Sequence, residues 1–162
     1  MFKCIIISLA IFSVGFAYSQ TKTVHLFKKG MDVYMDVPEE GKVQTFAMGF
    51  FHKTDVVSIH QKEVSQLGDV YLEEFEGTID ELKLIRQKGE LSKMFVQYKK
   101  ETDTDLILEY QDPETKELFY EFHMVKEVEG KKYYLCSDVN KRYDWDTIMA
   151  LHEIADSLRA NE

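Results

Sequence analysis

Two prolines, two cysteines and one tryptophan in 162 residues set aside several large classes of protein at once. No repeat, low-complexity tract or linker divides the chain, so residues 20–162 read as one domain, long enough for a hydrophobic core without staples. Cys4 falls in the leader described below, which leaves Cys136 alone and makes an intramolecular disulfide impossible. Cys136 stands in the aromatic run Tyr133-Tyr134-Leu135-Cys136 and is expected to be a small core residue. Basic residues are also short, 20 against 29 acidic, for a net charge of -9. Such a surface repels phosphate backbones, and no Lys/Arg stripe interrupts it, so nucleic acid is excluded as a partner and a basic polypeptide is favoured. No apolar run reaches the roughly 20 residues needed to span a bilayer.

Catalytic motifs are missing as well. Ser58, Ser65, Ser92, Ser137 and Ser157 lack the GxSxG elbow, and no glycine pattern resembles a phosphate loop. His152-Glu153 begins like a zinc-protease helix, but Asp156 stands where the second histidine ligand is required, and His152 with Asp156 is expected to be an exposed pair. His60 and Glu63 are spaced as HxxE, which on a helix puts both side chains on one face. Two ligands do not make a metal site, and two solvated side chains are the favoured reading. His123 lies beside Glu121 on a strand face read as the solvent side of a sheet, or as partly covered by a helix. His60, Glu63 and His123 are therefore the residues to mutate if an activity is found. The expectation is a non-enzyme with no cofactor and no metal.

What is present starts with an address. Lys3, the apolar run 5–16 and the small-x-small signal Ala17-Tyr18-Ser19 make residues 1–19 a cleavable secretory leader, placing the protein in the periplasm or outside the cell. Hydrophobic residues at 44% and aromatics at 13% then argue for a packed fold rather than disorder.

Residues 105–139 carry the architecture. Leu106, Leu108 and Tyr110 alternate with Ile107, Glu109 and Gln111. After the turn Asp112-Pro113-Glu114-Thr115, Leu118, Tyr120, Phe122 and Met124 alternate with Phe119, Glu121, His123 and Val125. Glu129-Gly130 marks a second turn, and Tyr133 and Leu135 continue the pattern. An antiparallel three-strand meander with one side covered follows. Shorter strands are expected over 23–27, 31–37, 56–59, 70–75 and 94–98, with 42–51 ambiguous and 99–104 a charged connector.

Two helices complete the reading. Residues 78–88 open on Thr78 and Glu81 in a capping-box pattern and close at Gly89, with Ile79, Leu82 and Ile85 as the apolar stripe. Residues 145–160, capped by Asp144 or Asp146, present Ile148, Leu151, Ile154, Ala155 and Leu158 on one face. The fold class is α+β: an antiparallel sheet with a three-strand meander, packed by two amphipathic helices.

This element order over roughly residues 31–160, together with Gly130-Lys131-Lys132-Tyr133-Tyr134 and the final Ser157-Leu158-Arg159, resembles the Mog1/PsbP/DcrB-like α/β/α sandwich proteins. The resemblance implies a scaffold that binds other proteins, without a shared active-site motif. Function is therefore expected to be protein binding or an accessory role in the bacterial envelope, directed at a basic partner. The alternative is a carrier for a small apolar ligand or lipid, with Tyr110, Tyr120, Phe122, Tyr133 and Tyr134 lining a pocket between sheet and helix.

Overall fold

A computed structural model describes residues 21–26, 31–39, 41–46, 56–61 and 69–160, with backbone alone for 41–46 and 56–61. The leader expected over residues 1–19 and the position of Glu63 lie outside the described residues. The chain runs β1 (Thr21–His25), β2 (Tyr34–Pro38), β3 (Gly41–Phe46), β4 (Val56–Gln61), β5 (Val70–Glu74), α1 (Ile79–Lys88), a short 3-10 helix (Glu90–Lys93), β6 (Phe95–Glu101), β7 (Asp105–Gln111), β8 (Leu118–Val128), β9 (Lys131–Ser137) and α2 (Trp145–Asp156). Among the described residues, β1 and β2 form a hairpin, and the other strands form a sheet in the order β3-β4-β5-β9-β8-β7-β6. Every pairing in it is antiparallel. The α+β class with two helices on an antiparallel sheet is the architecture expected from the sequence.

Turn chemistry sets the register of the meander. Asp112 Oδ1 accepts the backbone N–H groups of Glu114 at 2.8 Å and Thr115 at 2.9 Å, and Lys116 takes a left-handed φ of 63° to bring the chain back. The β8–β9 turn is tighter. Glu129 and Gly130 sit at φ 52° and 76°, both positive as a two-residue type I′ hairpin needs, and this aligns Val128 with Lys131. Because side chains alternate at a period of two, those turns decide which residues face which side of the whole meander.

Both sides are covered, and here the structure corrects the expectation of a single buried face. On one side, Ile107, Tyr120, Phe122, Met124, Tyr133 and Leu135 pack against α2 and the β1–β2 hairpin. On the other, Leu106, Leu108, Tyr110, Val125, Tyr134 and Cys136 lie beneath α1. The five aromatic residues proposed to line one pocket are thus divided between opposite faces, Tyr120, Phe122 and Tyr133 toward α2 and Tyr110 and Tyr134 toward α1. All of them are buried.

The helices are anchored differently. In α2 the expected residues Ile148, Leu151, Ile154 and Ala155 are buried, as is Leu158 just beyond its end. Each isoleucine or leucine so removed from water contributes about 1.5–3 kcal/mol before entropy is counted. Asp144 caps the helix by accepting the Thr147 N–H at 2.8 Å. The helix ends at Asp156, short of residue 160, because the chain leaves it to pair with β2: Arg159 and Tyr34 exchange both backbone hydrogen bonds, at 2.8 and 2.9 Å.

In α1 the Thr78–Glu81 capping box is present in both directions. The buried stripe, however, is Ile79 and Leu82 alone, and Ile85 is 47% exposed. Position i+7 from Ile79 is Arg86, which points inward in place of the expected isoleucine. Residues 99–101, read as a connector, instead extend β6, an edge strand with two irregularities in its pairing to β7. Charged residues and bulges on an edge are a usual defence against pairing with a second chain.

Candidate functional site

Polar chemistry gathers on both faces of β7–β8. The deepest cluster lies under α1. Glu121 and His123, two residues apart on β8, share the face that looks toward the helix, and both are fully buried. The Arg86 Nε–H donates to His123 Nε2 at 3.2 Å and lies 3.7 Å from Glu121 Oε2. The Tyr110 hydroxyl donates to the same Glu121 oxygen at 3.2 Å, and His123 Nδ1 meets the Tyr134 hydroxyl at 2.6 Å. With Nε2 accepting from arginine, the imidazole proton belongs on Nδ1, donated to Tyr134. Cys136 stands opposite His123 on β9.

Charge in this cluster follows from burial and neighbours. Burial and the adjacent Arg86 cation hold the His123 imidazole below its ordinary value, against the pull of Glu121. Burial alone would raise the Glu121 carboxyl, but His123, Arg86 and the Tyr110 hydroxyl outweigh it and keep it low. The Cys136 thiol is pushed up to about 12, chiefly by burial, so it is a thiol and not a nucleophilic thiolate at neutral pH. Glu121 Oε1 is buried with no hydrogen-bond partner among the described residues. The arrangement is an ion pair bridged by a neutral imidazole, and it ties a helix to a sheet.

A second cluster lies on the α2 side, near the β6 edge. His152, expected to be exposed, is buried, and its Nε2 sits 2.7 Å from Asp105 Oδ2 and 3.4 Å from Lys100 Nζ. Lys100 also pairs with Asp105. Burial raises the Asp105 carboxyl, and the hydrogen bonds from His152 and Lys100 more than reverse that, leaving it below its ordinary value. Asp156, the expected partner of His152, instead faces solvent and pairs with Lys126 at 3.1 Å. Farther along β7, Glu109 accepts from Gln97 at 2.8 Å and from the Tyr120 hydroxyl at 3.1 Å, with Lys99 at 3.5 Å. Lys99 in turn lies over the Trp145 ring, 5.7 Å from its centre.

A third feature is an open cleft of about 650 Å³ where the β7–β8 turn meets the start of α2. Leu118 and Phe119 form its apolar wall, and Lys141, Arg142 and Asp144 its polar one. Arg142 stacks over Phe119 at 5.0 Å and pairs with Asp112. Backbone donation from Thr115 and Glu114, then Arg142, lowers the Asp112 carboxyl to about 2.

Of the three sequence candidates, His123 is in the buried cluster and reaches no cleft. His60 lies on β4, where its backbone is paired with Lys42, so the helical spacing that would join it to Glu63 does not hold at that residue. No group of three or more His, Cys, Asp or Glu side chains able to hold a metal occurs among the described residues. Sequence reasoning missed Arg86, Asp105 and His152. The 79, 82, 86 spacing on α1 carries the signal for the first. For the other two there was none, because their pairing joins elements 47 positions apart. Among the described residues no helix is long and apolar enough to cross a membrane. Compared with known protein families, curated proteins and solved structures, the chain has no match.

Proposed function

We propose that this chain is an exported, non-enzymatic protein of the bacterial envelope that works by binding another polypeptide of basic character. The observation that carries the reading is the way its reactive groups are used. Imidazole, carboxylate and thiol come together in the sheet, yet all three are buried on the α1 side, His123 and Glu121 committed to each other and to Arg86, and Cys136 to the Tyr134 hydroxyl. A site of that composition serves catalysis only where substrate can reach it. The net charge of -9 supplies a complementary surface for a basic partner and speeds its encounter. The leader-like first nineteen residues support export.

The test is cross-linking of the protein in its own envelope, followed by recovery at low and at high salt. A polypeptide recovered in stoichiometric amount with a basic isoelectric point, and lost at high salt, is the expected outcome. Recovery of no partner at low salt overturns the proposal. A second reading, carriage of a small apolar or amphipathic ligand, is favoured by the cleft beside Leu118, which is 46% exposed, and Phe119. An adduct of small mass retained in a native mass spectrum of protein purified from its host supports that reading, and a bare chain removes it.

A further inference from the structure

We propose that α1 is an acid-released strap, held on the sheet in neutral solution by Arg86 and freed when His123 takes up a proton. The attachment of α1 is thin on its apolar side, with Ile79 and Leu82 buried and Leu84 and Ile85 turned to solvent. Its last turn is fastened through Arg86 to the acceptor nitrogen of His123 and the carboxylate of Glu121, and earlier on the helix Lys83 pairs with Glu101 of β6 at 2.9 Å, a surface pair that does not change charge between about pH 5 and pH 7.5.

Every charged or titratable group around His123 bears on this. Arg86 approaches from α1, Glu121 from the same strand, and Tyr134 and Cys136 from β9. Tyr110 on β7 is bound to Glu121, and Glu73 on β5 lies across β9, where it acts on Cys136. With His123 neutral, Arg86 and Glu121 balance each other. Protonation does two things together: it removes the lone pair that receives the Arg86 N–H, and it puts a second cation beside the guanidinium with the one carboxylate of Glu121, 3.4 Å from the imidazole, to serve both. The layer can respond by letting Arg86, and with it α1, move out to water. The α2 side differs in that its helix is fixed by aliphatic packing along its whole buried face.

The sign follows from the buried state. A histidine that is harder to protonate when covered stabilises closure above its open-state value of about 6.5, and closure weakens as the pH falls below that, by at most about tenfold per unit. Release would uncover the apolar floor of Leu106 and Leu108 together with Cys136.

Residue-resolved hydrogen exchange of the full chain tests this, with rates corrected for intrinsic pH dependence and compared between about pH 7.5 and pH 5. Protection of the α1 amides should fall below about pH 6.5, by up to about tenfold per pH unit, while the amides of β7, β8 and β9 stay protected. His123→Gln keeps an acceptor for Arg86 and a donor for Tyr134 but does not titrate, and it should make α1 protection flat over that range. Should this variant not fold, Arg86→Gln replaces it, with α1 protection low at both pH values. Flat protection in the unsubstituted protein overturns the proposal. So does loss in step with the central strands, or a pH dependence that survives His123→Gln.

Discussion

The two faces of this sheet are built on different physics. Toward α2 the interface is aliphatic and aromatic, and its ionic pairs sit at the β6 margin. Toward α1 a smaller apolar cluster surrounds a glutamate and a histidine removed from water and a half-buried arginine that reaches in to them. Hydrophobic packing is non-directional and insensitive to pH. A buried ion pair is neither, since it depends on geometry and on the protonation of each member, and its attraction roughly offsets its desolvation. One helix is therefore fixed by mass of contact and the other by the fit of a few atoms.

Substitutions can break this contrast. The largest loss is expected from Phe122→Ala on the α2 face, about 4 kcal/mol by chemical denaturation, because a fully buried ring next to His152 leaves a cavity. Arg86→Met should cost about 3 kcal/mol, since Glu121 then keeps a buried charge without its cation. Adding Glu121→Gln to that variant should restore most of the loss, the signature of a pair whose net worth is small. Two equal losses, with no recovery in the double variant, would mean that the α1 face is packed like the other.

Smaller effects sharpen the comparison. Thr78→Ala and Asp144→Ala remove the caps of α1 and α2 and should each cost about 1 kcal/mol, showing that the helices differ in their attachment and not in their own ends. Ile85→Lys should change stability by less than about 0.5 kcal/mol, because that side chain is on the solvent side of α1. Acid should also reach the β7–β8 turn. The Asp112 carboxyl is depressed to about 2, so its contribution is complete above its ordinary value near 3.8 and disappears as the pH falls through 2. Carboxyl NMR titration of Asp112 measures this directly, and a midpoint near 3.8 would remove the turn from the argument.

Much of the fold was legible in the sequence because its signals are local. Alternation in β7, β8 and β9 needs only neighbouring residues, as do the Asp112 and Gly130 turns and the Thr78 and Asp144 caps. Apolar α2 positions 148, 151, 154, 155 and 158 were readable for the same reason. The polar clusters were not. Glu121 and His123 look like the wet side of a strand until a helix from 37 residues earlier is laid across them, and His152 looks like a surface residue until Asp105 is brought beneath it. Ile85 and Arg86 are adjacent on α1, and the rotation of about 100° between neighbours decides which goes inside.

By itself, then, the sequence determined the class, the three-strand meander with its turns, the two helices with their caps, and the acidic balance, since each is encoded in residues that are neighbours along the chain or in simple composition; β3, in a stretch of ambiguous pattern, and the end of β6 were not among them. Tertiary structure alone decided that both faces of the meander are covered, and that buried Glu121 and Asp105 meet Arg86 and Lys100. Those outcomes depend on which distant elements share a layer. A buried charge has a partner only when the fold brings one to it.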